Sequence, residues 1–138
     1  MKTWLALAVL FIASPALAAD VTGRWNTIDD TTGEVRSTVE LTISDGVLQG
    51  RIIELINPEE ENPICDLCDG ELKDQPVIGL QIIDGLTLDG DEWSDGTIVD
   101  PENGKSYRCK IWREGEKLLV RGYIGFFFRT QEWRLASD

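Results

Sequence analysis

The sequence contains no histidine, only three cysteines and a single methionine among its 138 residues. Histidine is the side chain whose ordinary pKa lies closest to neutral pH, and it is the most common metal ligand. Its absence excludes the ordinary Ser–His and Cys–His nucleophile systems. Three cysteines also leave a tetrahedral zinc site one ligand short. We therefore expect a protein that is not an enzyme and that holds no metal or cofactor.

Basic residues are scarce over most of the chain. Residues 19–99 contain 19 acidic and 4 basic side chains, whereas residues 100–138 contain 6 acidic and 8 basic ones. Nucleic acids and anionic membrane surfaces attract proteins that place clustered Lys and Arg opposite phosphate. An acidic chain without a basic cluster argues against both kinds of partner. The acidity indicates either solubility or attraction for a basic partner.

A long apolar run occurs only at the N-terminus. The first 18 residues combine an early positive charge at Lys2, an apolar run over residues 4–12 and the small-x-small triplet at 16–18. This arrangement is typical of a signal peptide cleaved after Ala18, and the run is too short to span a bilayer. We expect residues 1–18 to be removed. Residues 19–138 then form a single exported domain, periplasmic or secreted, without a membrane span.

Alternating apolar and polar residues predict short strands throughout this domain. Residues 35–43 follow the two-residue period of a half-buried strand, and the Asp45–Gly46 pair after them is a strong hairpin signal. No window of a dozen residues carries the stripe of an amphipathic helix. Further strands are predicted near residues 21–27, 47–56, 77–83, 86–88, 97–99, 107–113, 117–124 and 130–135. The sequence predicts an all-β fold, a single antiparallel up-and-down β-barrel of about eight strands.

Both ends of the predicted barrel resemble the calycin superfamily, which includes the lipocalins and the fatty-acid-binding proteins. Gly23–Arg24–Trp25 opens the first strand, and Arg134 lies in the last. In that superfamily a Gly-x-Trp places its indole beneath an arginine of the last strand. Such a cation–π contact contributes about 0.5–2 kcal/mol. The resemblance implies a lipocalin-like barrel in which Gly23, Trp25 and Arg134 are structural. The alternative is that Trp25 is an ordinary core residue.

A closer resemblance covers nearly the whole of residues 19–138. In chain order the motifs are GRWNT, DGVLQGRI, CDLCDG, PVIGLQIIDGL, DGTIVDPENGKSY, LLVRGYIG and RTQEW. They resemble the exported bacterial family catalogued as domain of unknown function 2147, and DPxxGKxY, VRGYIG and RTQxW together are its specific part. The resemblance implies a small secreted β-barrel with no assigned activity. It marks as structural the motif residues Asp100, Pro101, Gly104, Tyr107 and Trp133.

Cys65 and Cys68 lie three residues apart in an acidic segment. In an oxidising compartment we expect them to form a disulfide. A reactive thioredoxin-like pair would need a cation or a helix N-terminus to lower a thiol pKa, and here the neighbouring side chains are carboxylates. The remaining alternative is that Cys109 pairs with one of the two and ties this segment to a later strand.

Arg121 and Tyr123 are the leading candidates for ligand binding. Residues two apart share one face of a strand, and an Arg-x-Tyr pair inside a barrel can hold a carboxylate, as a similar pair does in fatty-acid-binding proteins. Against this assignment, aliphatic residues occupy the opposite face of the same strand, and hydrophobicity would turn that face inward. Arg129, near the predicted mouth of the barrel, is the reserve candidate.

Two classes of function remain. The first is a protein that binds a small apolar or anionic amphipathic molecule in the barrel lumen. The second is an envelope protein-interaction module without a lumen ligand, such as an acidic inhibitor of a basic enzyme like lysozyme. Residues 103–107 distantly resemble the Gly-x-x-Tyr loop of periplasmic lysozyme inhibitors. Three consecutive aromatics at 126–128 cannot all point inward, so one is expected at the barrel mouth or at a dimer contact. The expected state is a monomer or a weak dimer.

Overall fold

Eight antiparallel strands form one closed barrel in which each strand pairs with the next and the last pairs with the first. The computed structural model describes residues 20–137, and the predicted signal peptide lies outside them. The strands are β1 (Gly23–Ile28), β2 (Val35–Ser44), β3 (Val47–Leu55), β4 (Gln81–Asp89), β5 (Glu92–Asp100), β6 (Lys105–Glu114), β7 (Lys117–Ile124) and β8 (Phe127–Leu135). A 3₁₀ turn spans Gly70–Leu72, and no helix among the described residues is long and apolar enough to cross a membrane. The predicted all-β, up-and-down barrel is confirmed.

One predicted break, between the strands predicted at 77–83 and 86–88, lies inside a strand instead. Asp84–Gly85 does not end a strand, because β4 continues through it to Asp89. Gly85 adopts a φ of +77° and faces Gly96 of β5, where the pairing of β5 with β6 is also irregular. A Cβ at Gly96 would lie 2.3 Å from the Asp84 carbonyl oxygen, so only glycine fits there. These glycines lie at an irregularity within paired strands. In the sequence, an Asp–Gly pair at such an irregularity looks the same as one at a hairpin turn.

The strands run between two ends that differ in their connections. At one end, here called the floor, the strands are joined by tight turns around residues 45–46, 90–91 and 115–116. At the other end, here called the mouth, three longer connections span residues 29–34, 56–80 and 101–104, and a tight turn lies at 125–126. The long connections that could build a site beyond the strands therefore lie at the mouth.

The middle of the barrel is filled with side chains. Alternate residues of the strands point inward and are buried, including Trp25, Val39, Leu41, Leu48, Ile83, Leu86, Trp93, Cys109, Ile111, Leu118, Val120 and Trp133. A Cβ at Gly50 would lie 2.7 Å from Leu41 Cδ2 and 3.1 Å from Ile83 Cβ, so the interior is closely packed at this level. Two clefts of the described residues lie outside this packed core. The packing leaves little space for a ligand among these side chains.

Trp25 closes the floor. Its side chain is fully buried, and its indole N–H donates to the Val21 carbonyl oxygen at 2.9 Å. The cation over the ring is Arg113 of β6, whose Cζ lies 5.2 Å from the ring centroid. The predicted contact between Trp25 and Arg134 is wrong. Because Trp133 is the inward residue at the end of β8, strand alternation turns Arg134 outward, where it is exposed.

Arg113 joins three parts of the floor. Its Nη1 donates to the Asp20 carbonyl oxygen at 3.0 Å, and its Nε donates to the Gly115 carbonyl oxygen at 2.6 Å. The segment before β1, the β6–β7 turn and the Trp25 ring are therefore held by one guanidinium. Gly23 begins β1 with a φ of +116°, a conformation that glycine adopts without strain.

Replacing Trp25 by alanine should lower the free energy of unfolding by about 3–5 kcal/mol, the range for truncating a buried aromatic. Arg113→Lys should cost less, because lysine keeps the charge and loses the planar stacking. A double-mutant cycle in urea should give a coupling of about 0.5–2 kcal/mol between Trp25 and Arg113. The matched control is Arg134→Lys, which should show no coupling to Trp25. Independent effects of Trp25 and Arg113 would rule out the floor contact.

An ion network bridges the mouth. Arg36 Nη1 donates to the Asp29 carboxylate at 2.7 Å, and its Nη2 donates to the Glu102 carboxylate at 2.6 Å. The hydrogen bond from Arg36, together with those from the backbone N–H groups of Thr32 and Thr31, lowers the pKa of Asp29 to about 2. The β1–β2 loop is thereby connected to the β5–β6 turn, which belongs to a different part of the sheet.

The lowered pKa of Asp29 predicts a pH-dependent contribution to stability. Because the folded-state value is about 2 and the ordinary value is 3.8, this contribution is complete above about pH 4 and is lost as the pH falls toward 2. NMR titration of the Asp29 carboxyl carbon should give a midpoint near 2 in the folded protein. Arg36→Gln should move the midpoint up toward the ordinary value. A wild-type midpoint near 3.8 would contradict the bridge.

Candidate functional site: a cleft at the barrel mouth

A cleft at the mouth lies between the 56–80 connection and the start of β6. Its volume is about 560 Å³, which is within the range of about 300–1,000 Å³ typical of small-molecule sites. The lining residues come from two short segments and the end of β5: Leu67, Cys68, Asp69, Leu72, Val99, Asn103, Gly104, Lys105, Ser106 and Tyr107. One wall is thus the CDLCDG motif and the other is the DPENGKSY motif. We call this site the mouth cleft.

The first wall is shaped by a disulfide. Cys65 and Cys68 are bonded, which confirms the sequence prediction, and both side chains are buried. The Cys65 N–H donates to the Gln75 carbonyl oxygen at 2.8 Å, so the connection folds back on itself beside the bond. Val77 and Leu80, which follow, are buried in the core. The disulfide and this apolar anchor hold the 56–80 connection on the mouth.

The second wall packs directly against the first. Gly104 has a φ of +72°, and a Cβ on it would lie 1.9 Å from the Leu67 carbonyl oxygen and 2.7 Å from the Cys68 amide nitrogen. The Cys65 Sγ also lies 3.7 Å from the Pro101 carbonyl oxygen. Glycine at 104 is therefore required twice, by its own backbone conformation and by the close approach of a distant loop. This accounts for a glycine in DPxxGKxY.

Side-chain hydrogen bonds fix the β5–β6 turn. The Asp100 carboxylate accepts the Glu102 N–H at 2.9 Å, and the Asn103 side-chain oxygen accepts the Lys105 N–H at 2.8 Å. The Asn103 amide also donates to the Tyr107 hydroxyl at 3.1 Å. Asx contacts of this kind preset a turn. The turn therefore presents Lys105 and Tyr107 to the mouth cleft in a defined arrangement.

The mouth cleft has an apolar side and a polar side. Leu67, Leu72 and Val99 supply the apolar side, and none of them is fully buried. Lys105 is the cation of the polar side, and its ammonium makes no salt bridge with any residue in 20–137. Asp69 supplies one carboxylate to the lining. An arrangement of this type can bind an amphipathic molecule by its two ends.

Arg121 and Tyr123, predicted as ligand-binding residues, lie on the outer face of β7. Arg121 Nε donates to Thr130 Oγ1 at 2.9 Å, and the guanidinium lies 4.3 Å from the Phe128 ring centroid and 5.0 Å from that of Trp112. The Tyr123 ring lies 6.4 Å from the Phe128 ring. Alternation along β7 turns the aliphatic residues inward instead. A lumen clasp made of Arg121 and Tyr123 is therefore not formed.

Arg129, the reserve candidate, lies at the mouth but pairs with Asp30 of the β1–β2 loop and does not line the mouth cleft. Of the predicted site residues, Gly104 and Tyr107 line it, and Asp100 and Pro101 belong to its turn. Sequence reasoning missed Lys105 and the apolar wall. The CDLCDG and DPENGKSY motifs contain most of these residues, but the periodicity of the sequence does not predict that the two motifs pack side by side.

Cys109 lies buried in β6 and is free, so the alternative pairing of the cysteines is not formed. Burial raises the pKa of its thiol to about 12. A thiol with such a pKa is almost entirely protonated, and the protonated form is a poor nucleophile. Among the described residues, no group of three or more His, Cys, Asp or Glu side chains is arranged to hold a metal ion.

Counting reactive thiols tests the assignment of one free cysteine and one disulfide. The native protein should react very slowly with an aromatic disulfide reagent, because the one free thiol is buried and protonated. Unfolding without reductant should expose one thiol, and unfolding after reduction should expose three, matching one free and two bonded cysteines. In Cys109→Ser the unreduced count should fall to zero. A fast-reacting thiol in the native wild type would contradict the buried site.

The closed eight-stranded barrel resembles the fold of a known lipocalin. A solved structure of a protein from the human pathogen Helicobacter pylori, described as belonging to the lipocalin family, superimposes with a TM-score of 0.74 at 17% sequence identity. The match covers 87% of this chain and 85% of that one. At this identity the likeness concerns the fold, and it confirms the predicted barrel class.

The sequence identifies the family more closely. The family model described as "Uncharacterized protein conserved in bacteria (DUF2147)" matches residues 23–134. The chain therefore belongs to this family, as the motifs predicted. Among curated proteins none matches the chain.

Proposed function

We propose that this protein is a non-catalytic binding protein that takes a small amphipathic molecule with an anionic head group into the mouth cleft. The observation that carries the proposal is the cleft itself, which has the volume of a ligand site and is built by the two distinctive motifs of the chain. The lipocalin-like fold supports a ligand-binding role in general. The packed middle of the barrel favours a site at the mouth over one in the lumen.

The apolar side of the cleft supports an apolar tail. Leu67 projects from the disulfide loop and is exposed, although the cysteines on either side of it are buried. Covering a leucine side chain completely is worth about 1.5–3 kcal/mol. A tail lying against Leu67, Leu72 and Val99 would gain part of this energy without any change in the loop, because the disulfide already fixes its conformation.

The polar side supports an anionic head group. Lys105 carries the only cationic side chain in the cleft lining, beside the hydroxyls of Ser106 and Tyr107. A carboxylate or phosphate placed there would accept charge-assisted hydrogen bonds, which are about twice as strong as neutral ones. Asp69 opposes an anion at short range. Its neutralisation should therefore leave binding unchanged or strengthen it.

The second function class, an acidic protein-interaction module, draws support from the packed core and from the 19 acidic residues in 19–99. The contacts of residues 103–107 favour a structural role for this segment over that of an inhibitor loop. Here Gly104 is packed under the Leu67 backbone, and Tyr107 bonds to Asn103 of the same turn.

A dansyl-labelled fatty acid should bind the wild type with micromolar affinity in a fluorescence titration. Lys105→Gln should weaken binding about tenfold, equivalent to ~1.4 kcal/mol, because it removes the charged hydrogen-bond donor. Arg121→Gln is the matched control, since it removes the same charge from the outer face and should leave the affinity unchanged. Asp69→Asn should bind at least as tightly as the wild type.

Equal affinity of Lys105→Gln and the wild type would place the ligand outside the mouth cleft. Absence of binding below ~100 μM for fatty acids, isoprenoids and detergents, about 5.5 kcal/mol of affinity, would exclude the proposed ligand class. Tryptophan fluorescence and thermal unfolding of each variant should match the wild type, so that a loss of binding is not a loss of fold.

A further inference from the structure

The β7–β8 hairpin ends at the mouth in a cluster of exposed apolar residues, Ile124–Phe128, here called the aromatic tip. Phe126, Phe127 and Phe128 are 103%, 78% and 59% exposed, and Ile124 is 55% exposed. The sequence has four phenylalanines, and the fourth, Phe11, lies in the predicted signal peptide. The packed core therefore contains no phenylalanine. The domain places this residue type only where it meets solvent.

The aromatic tip is as large as the largest apolar patch on a typical soluble monomer. An aromatic side chain presents about 150–250 Å² when uncovered, so the three phenylalanines expose about 500 Å² at their observed fractions. The largest apolar patch on a typical soluble monomer is about 300–600 Å², and such patches mark interaction sites. The tip alone reaches that range. Hydrogen bonds of the β7–β8 ladder hold it in place up to the Ile124–Phe127 pair.

Cations stand directly behind the aromatic tip. Arg108 lies beside Tyr123, which in turn pairs with Phe128. The Arg121 guanidinium leans toward the tip, because it stacks 4.3 Å from the Phe128 ring centroid. Neither arginine forms a salt bridge with another residue in 20–137. Two uncompensated guanidinium groups thus share the level of Phe128.

The surrounding sector is basic, although the protein as a whole is acidic. Residues 105–131 contain seven basic and two acidic side chains, and both acids, Glu114 and Glu116, lie at the floor. Two of these seven, Lys105 and Arg129, lie at the mouth, and Arg129 is partly neutralised by Asp30. Charges are screened over about 8 Å at physiological ionic strength. A surface that touches the tip alone therefore meets this positive sector first, whereas most acidic side chains of the mouth belong to other connections, 29–34 and 56–80.

We propose that the aromatic tip docks the protein on an anionic lipid bilayer, with Phe126 and Phe127 inserted and Arg108 and Arg121 at the phosphates. Interfacial apolar groups penetrate about 5–10 Å into the boundary between head groups and acyl chains. Phe128 lies one residue behind Phe127 on β8, about 3.4 Å at the rise of a strand, and Phe126 projects beyond both from the turn. The guanidinium groups at the level of Phe128 then meet the lipid phosphates, which attract basic side chains.

The shape of the tip favours a bilayer over a protein partner. A stable protein interface covers about 800 Å² on each side with a closely fitting surface. The tip is a single projecting hairpin end, with Phe126 uncovered on all sides, and its apolar area falls below that value. A fluid bilayer accommodates such a projection without a matching cavity. The mouth cleft lies at the same end of the barrel, so docking would turn it toward the lipid.

Sedimentation with vesicles tests the proposal. The domain of residues 19–138 should co-sediment with vesicles of equal parts phosphatidylglycerol and phosphatidylcholine, and much less with pure phosphatidylcholine. Phe126→Ser/Phe127→Ser should lower the partition coefficient at least tenfold. Arg108→Gln/Arg121→Gln should lower it severalfold and flatten its dependence on salt. The control is Ile43→Ser/Leu88→Ser, which removes two exposed apolar residues near the floor and should bind as the wild type does.

Each contrary result has a definite meaning. Wild type that sediments no better than Phe126→Ser/Phe127→Ser overturns the bilayer assignment. A second result would also overturn it: the wild type forms a concentration-dependent dimer and does not bind vesicles, and Phe126→Ser/Phe127→Ser is monomeric. The tip would then be a contact between two copies of the chain. Circular dichroism and thermal unfolding of the variants should match the wild type, because the substituted side chains are exposed. Loss of fatty-acid binding is not required, since the tip and Lys105 are separate groups.

Discussion

The structure depends on closing the sheet where β1 meets β8. That seam is the shortest in the barrel, with Trp25 opposite Leu135 and Asn26 opposite Arg134. A short ladder alone would leave two strand edges open to solvent and to other chains. Trp25 supplies what the ladder lacks, because it is buried across the floor, donates to the segment before β1 and lies under Arg113. The inward-pointing residues of the other strands are enclosed in a common core only when this seam is closed.

A closed barrel of eight strands has an interior just wide enough to be filled by side chains, and here tryptophans and branched aliphatic residues fill it. Filling stabilises the barrel and leaves little room for a ligand in its middle. The proposed binding site therefore lies at the mouth, where the long 56–80 connection is held by its disulfide and by Val77 and Leu80. The same rigid frame supports the mouth cleft and, on its other side, the aromatic tip.

Charge shows how a whole-chain property differs from a local one. The acidic composition argued against anionic surfaces, and this inference holds for the average of the molecule. The barrel, however, brings the basic C-terminal strands β6, β7 and β8 side by side and sends Glu114 and Glu116 to the floor. The mouth side of that sector is therefore positive. Composition cannot show this, because it contains no information on which residues become neighbours.

The sequence by itself predicted most of the strands, the all-β class, the Cys65–Cys68 disulfide as the favoured pairing, and the family, because periodicity, turn residues and motifs are local or directly comparable. Only the tertiary structure decided the partners of those residues. The cation over Trp25 is Arg113 and not Arg134, since Trp133 takes the inward position on β8. Gly104 meets Leu67 across a gap in sequence that no local pattern spans. Such contacts depend on barrel closure and strand register, which are set by the packing of the whole chain rather than by any one segment.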